Sequence, residues 1–104
     1  MNKFIKKIFK KYNLNVENLD ENKTKDLVLF FLKGYFEKKF LISAVDSFAD
    51  FILYENFLNK NVSIEDLELS DILETMSELG YYQKNSPDDF EKSIKLLKKY
   101  IENN

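Results

Sequence analysis

From Phe90 onward the apolar side chains recur at steps of four, three and four, through Ile94, Leu97 and Ile101. Only an α-helix, with roughly 3.6 residues per turn, brings such positions onto one face. The entry to this segment is equally specific. Ser86 stands where a cap belongs, Pro87 takes the first helical position, where its missing N–H costs nothing, and Asp88 and Asp89 complement the positive end of the helix dipole. The spacing predicts a helix over 86–102. A helix with one apolar stripe is stable only when another element covers it, so the rest of the chain must supply that cover.

More helix is expected to provide it. Two glycines and one proline in 104 residues leave few points at which a helix has to break. Phe4, Ile5, Ile8, Phe9 and Tyr12 lie opposite Lys3, Lys6, Lys7, Lys10 and Lys11, which predicts a basic amphipathic helix over 1–12. The run Leu27 to Leu32 suits a buried strand as well as a helix by length. Helix is the reading adopted over 24–40, because Asn22 or Thr24 offers a cap, the pattern continues through Tyr35, Phe36 and Phe40, and no second strand candidate exists to pair with it. Gly34 inside it marks an expected close helix crossing.

Ser43 and Asp46 resemble a capping box opening a helix over 43–59, with Asn59-Lys60-Asn61 as its stop. Ser63 and Asp66, or else Ser70, open the next over 63–79, in which Ile64 to Leu69 form either a separate turn or its front. Gly80 then falls where a C′ residue of positive φ belongs. The expected architecture is all-α: one domain over 1–104, a compact bundle of four main helices with a further short one.

The same residues exclude much chemistry. The chain has no His, Cys or Trp, and its basic residues are all lysine. Disulfides, thiol nucleophiles, Cys-ligated zinc and the Glu-x-x-His pairs of di-iron bundles are therefore impossible, and no phosphate-binding, EF-hand or hydrolase motif occurs. The carboxylates are all expected in polar helix-surface positions, without the apolar pocket that would tune one as an acid or base. The pairs Asp46/Asp50 and Glu74/Glu78, one turn apart, suit a solvated helix face better than a cation. The expectation is a non-enzymatic protein with no cofactor and no metal. The longest apolar run, six residues, is far short of the roughly 20 needed to span a bilayer. Lysines interrupt any signal-peptide core in the first twelve residues, so a cytoplasmic location is expected.

What remains is a charge pattern. Between Asn61 and Gln83 stand Glu65, Asp66, Glu68, Asp71, Glu74 and Glu78, no basic residue, and finally Tyr81-Tyr82, whereas the net charge of the whole chain is only −2. Asp71, Glu74 and Glu78 fall at i, i+3 and i+7 on the side of a helix opposite Ile72, Met76 and Leu79. Such a stripe is either an ordinary solvated face or an electrostatic docking surface, in which the acids attract a basic partner and the tyrosines supply buried contact area. The functional expectation is a protein-binding module that docks a basic partner through Glu65, Asp66, Glu68, Asp71, Glu74, Glu78, Tyr81 and Tyr82. A small inhibitor or neutralising protein of the bacterial immunity, antitoxin or phage-inhibitor type fits that expectation. Over Ser70 to Pro87, the pairing of carboxylates with a Tyr-Tyr step is similar to that of small acidic helical immunity proteins for nuclease toxins.

Two alternatives of other classes stay open. The apolar surplus of the second and third helices, from Leu27 to Leu58, would serve a structural or regulatory homodimer. The lysines Lys3, Lys6, Lys7, Lys10 and Lys11 would serve a membrane or nucleic-acid adaptor, although the absence of arginine weighs against nucleic acid. A winged-helix reading of Val62 to Tyr82 fails because its recognition helix would carry only negative charge and repel phosphates.

Overall fold

A computed structural model describes residues 3–58 and 64–104, with the side chains of 56–58 left aside. Helices make up nearly all of it: α1 (Lys3–Lys11), α2 (Glu21–Phe36), α3 (Ile42–Asp50), a π-helical continuation of α3 (Phe51–Leu58), α4 (Leu67–Asn85) and α5 (Pro87–Glu102). Among the described residues there is no strand, and the fold is an all-α bundle. Its Cα radius of gyration, 13.0 Å, is that of a closed domain of this length. The expected stop at Asn59 to Asn61 and start at Ser63 lie outside the described residues, as do the side chains of Phe57 and Leu58.

The chain reversals follow from a few residues. α1 ends where Asn13 takes φ 53°, with the N–H groups of Asn13 and Leu14 donating to the carbonyls of Lys10 and Phe9. Asparagine tolerates this left-handed geometry better than most residues. α2 starts earlier than expected. Its cap is Asp20, whose carboxylate accepts the Lys23 N–H at 2.8 Å, so Asn22 falls within the first turn and Thr24 donates its hydroxyl back to the Asp20 carbonyl at 2.7 Å. The helix stops at Phe36 rather than Phe40. The N–H of Lys39 donates to the Gly34 carbonyl at 2.7 Å and that of Lys38 to Tyr35 at 3.0 Å, with Lys38 at φ 64° between them. This Schellman turn folds Phe40 back along α2.

Gly34 is what admits that ring. A β-carbon there would collide with Cδ2 and Cε2 of Phe40, so the close approach is made by Phe40 and not by a crossing helix as the sequence suggested.

The capping box at Ser43 and Asp46 does not form. α3 begins at Ile42 behind Leu41, which has no side chain able to cap, and Ser43 already lies inside the first turn. Asp66 does cap α4, accepting the Leu69 N–H at 3.1 Å, and the Glu21 carboxylate accepts the N–H groups of Glu65 and Asp66, tying the start of α2 to the entry of α4. Ile64 to Asp66 thus precede α4 without a helical turn of their own, and Ser70 lies within the helix. At the other end α4 passes through Gly80 without a positive φ and continues to Asn85. It ends at Ser86 because the residue before a proline is driven out of the α region. The Ser86 hydroxyl donates to the Asp89 carboxylate at 2.6 Å instead of accepting a backbone N–H, so Ser86 caps α5 by position only.

Aromatic rings form the centre of the core where α1, α2 and α3 meet. Phe31 and Phe48 stack at 4.2 Å, Phe40 stacks on Phe31 at 5.0 Å, and Phe9 meets both Phe31 and Phe48 edge-on. Val28, Leu32, Val45, Ile52, Leu73, Met76, Leu79 and Leu97 complete it. Most of the apolar surplus of α2 and α3 is thereby consumed within one chain. On α5 the deepest line is Ser93, Leu97 and Tyr100, while Phe90, Ile94 and Ile101 are half-buried along its edge.

The two glycines should respond oppositely to alanine. Gly34→Ala drives a β-carbon into a packed ring and should destabilise the protein by about 1 to 3 kcal/mol. Gly80 faces the Asp46 carboxylate, 2.5 Å from the position of an added β-carbon. That oxygen ends a short rotatable side chain, so Gly80→Ala should be neutral or stabilise by up to about 1 kcal/mol through helix propensity. Urea denaturation of both variants checks the pair. A marked loss for Gly80→Ala would mean that the Asp46 side chain cannot give way at the α3–α4 crossing.

Candidate functional site

The continuation of α4 beyond Gly80 decides the geometry of the acidic segment. At roughly 3.6 residues per turn, Leu67, Asp71, Glu74, Glu78, Tyr81, Tyr82 and Asn85 fall within about 100° of arc on one helix. All are exposed except Tyr82, which is half-buried, and the opposite side of the helix carries the buried Leu69, Ile72, Leu73, Met76 and Leu79. A helix ending at Gly80 would have detached the tyrosines from the acids. The observed helix sets them in line.

Five of the eight residues singled out in the sequence therefore share the stripe: Asp71, Glu74, Glu78, Tyr81 and Tyr82. The other three have different surroundings. Asp66 is the α4 cap, Glu65 precedes the helix, and Glu68 is turned toward α5, where it lines a small cavity of about 170 Å³ with Leu96, Lys99 and Tyr100. Sequence reasoning missed Leu67, which is 77% exposed at the start of the stripe. Its signal was present, since it lies one turn before Asp71. About 21 Å of helix separates it from Tyr81, itself 65% exposed, at 1.5 Å per residue.

No lysine of the described residues pairs with Asp71, Glu74 or Glu78, whereas just after α2 Lys39 pairs with Glu37 at 3.0 Å. The Tyr82 hydroxyl donates to the Glu78 carboxylate, and this bond, followed by partial desolvation and the negative charges nearby, raises the Tyr82 pKa. The Tyr81 and Tyr82 rings meet edge to face at 6.1 Å.

Lys3, Lys6, Lys7, Lys10 and Lys11 are all exposed on α1, with Phe4 at the edge of their face. Ile5 and Phe9 are buried in the core. The apolar side that an interfacial anchor would insert is thus already packed, and the five lysines occupy the helix's solvent side. No described helix is long and apolar enough to cross a membrane, and no three acidic side chains converge as metal ligands among the described residues.

One carboxylate departs from the expected polar setting. Asp46 packs against Gly80 at the α3–α4 crossing, where desolvation first and then the charge of Asp50 raise its pKa; hydrogen bonds from Ser47 offset this in part. Desolvation raises Asp50 as well. A native pKa above the unfolded value means that the folded state holds the proton more tightly. Stability should therefore fall as pH rises from the ordinary aspartate value, near 3.8, through the raised native one. Asp46→Asn removes that penalty and should be more stable than the parent at pH 7, with a flatter stability profile across that window. Urea titrations at several pH values check this, and a less stable variant at pH 7 would contradict it.

A second concave surface lies elsewhere. Tyr35, Phe36, Phe40, Leu41, Phe90 and Ile94 line an open groove of about 710 Å³ between the end of α2, the start of α3 and the start of α5. Residues 35–43, which carry the end of α2 and the start of α3, lie far before Phe90 and Ile94 in the sequence, which is why spacing within one element did not reveal it.

No family model, curated protein or solved structure matches this chain.

Proposed function

We propose that the protein is a non-enzymatic binding module that docks a basic protein surface on the outer face of α4, and that it acts by occluding or neutralising that partner. The carrying observation is the stripe Asp71, Glu74 and Glu78, to which no lysine of the described residues is paired, set between the exposed Leu67 and Tyr81 on a helix whose other side belongs to the core. Like charges at i, i+3 and i+4 spacing cost a helix a few tenths of a kcal/mol per pair. A cationic partner converts that repulsion into attraction. The acids would accelerate encounter and set orientation, while Leu67 and Tyr81 supply the desolvated contacts that hold the complex. Small inhibitors of the immunity or antitoxin kind work in this manner, and the chain's size, acidity and lack of catalytic groups support that reading.

The test compares two baits, the parent and an Asp71→Lys, Glu74→Lys, Glu78→Lys variant, in affinity capture from the source cell's extract at low salt. A basic protein retained by the parent and lost from the variant supports the proposal. Identical retention by both baits would remove it.

A further inference from the structure

The groove between α2, α3 and α5 is apolar along its walls and cationic at its rim. Phe40, held in place by Gly34, forms one wall with Tyr35 and Phe36; Phe90 and Ile94 form the other, and Leu41, 74% exposed, stands at the mouth. Lys38 lines the groove directly, fixed by the left-handed turn that ends α2, and the Lys98 ammonium lies 5.5 Å from the centre of the Phe36 ring. Neither lysine has an ion-pair partner among the described residues, and the Glu37 carboxylate beside Lys38 in the chain is engaged by Lys39. The first turn of α3, which opens at Leu41 to Ser43, has neither a side-chain cap nor an acidic residue. The volume, about 710 Å³, lies within the range of small-molecule sites.

We propose that this groove binds an amphipathic anion, an acyl chain of medium length ending in a carboxylate, with the chain against Phe36, Phe40, Phe90 and Ile94 and the carboxylate between Lys38 and Lys98. The apolar walls lose water on binding, which rewards the chain. The two ammonium groups, neither of them ion-paired among the described residues, select an anionic head over a neutral or cationic one. Its charge is opposite to that of the acidic face of α4, and although Gln83 of α4 also lines the groove, the substitutions that test the two sites share no residue.

The probe is decanoate, below its micellar concentration, added to the full-length protein and followed by amide chemical shifts. Saturable shifts confined to the residues lining the groove are expected, with decyltrimethylammonium, of equal chain length, binding at least about tenfold more weakly and acetate producing none. Lys38→Glu with Lys98→Glu, both at exposed positions, should weaken decanoate by about tenfold or more. The comparison of the two head groups on the parent protein stands even if that variant fails to fold. Absence of saturable shifts at the groove, equal binding of decyltrimethylammonium, or undiminished binding by a folded double variant would overturn the proposal.

Discussion

Phe48→Ala is expected to cost about 3 to 5 kcal/mol and to give a protein that melts far below the parent. Phe48 is fully buried, stacks on Phe31 at 4.2 Å and receives the edge of Phe9 at 6.4 Å. Its removal therefore opens a cavity where α1, α2 and α3 meet, and no neighbouring ring can fill it without leaving its own partner. A domain of this length has about 5 to 15 kcal/mol of stability in all, so the loss takes a large share. Tyr54→Ala is the control: that ring is 56% exposed, and its truncation should move stability by no more than about 0.5 kcal/mol. Urea unfolding with both variants measures the difference. A Phe48→Ala protein within about 1 kcal/mol of the parent would mean that the aromatic cluster is not the core's centre.

How far the sequence could be read depended on whether the deciding partner was local. The helical nature of 86–102 was legible, because Pro87 and the spacing of Phe90, Ile94, Leu97 and Ile101 act within one element. The boundary of α2 was not: Asp20, Asn22 and Thr24 can each accept a backbone N–H, and what distinguishes them is that Thr24 is buried inside the helix with its hydroxyl turned back to the Asp20 carbonyl. Gly80 was misread for a similar reason. Glycine serves both as a helix stop and as an interior point of close approach, and what distinguishes the two here is the Asp46 side chain across the α3–α4 crossing.

The helix 43–59 was expected as one regular element, yet its winding changes at Phe51. A nearly all-round apolar pattern does not specify one periodicity. Of the candidate surface, the register of Asp71, Glu74 and Glu78 was legible from spacing. Its union with Tyr81 and Tyr82 was not, since it depended on the helix passing Gly80, and the groove was invisible because tertiary packing brings residues 35–43 against the distant Phe90 and Ile94.

The second large effect concerns partner binding. Tyr81 is exposed at the end of the stripe and has an aromatic neighbour in Tyr82. If the partner buries it, Tyr81→Ala should cost about 2 kcal/mol or more, seen as dissociation faster by about thirtyfold. Tyr82→Ala should cost less, because its hydroxyl is already engaged by Glu78 and its ring is half-buried. Reversing Asp71, Glu74 and Glu78 to lysine should act on the other rate. Exposed charges seldom shift stability by more than about 0.5 kcal/mol each, so the fold should persist while association slows.

The most direct test is therefore the association rate of the captured partner with the parent and with the triple charge-reversal variant, measured across a salt series. At low salt the variant should associate at least about tenfold more slowly. The gap should narrow as ionic strength rises and the screening length falls to about 8 Å. Equal association rates at low salt would contradict the account and reduce the acidic face of α4 to a solvated surface.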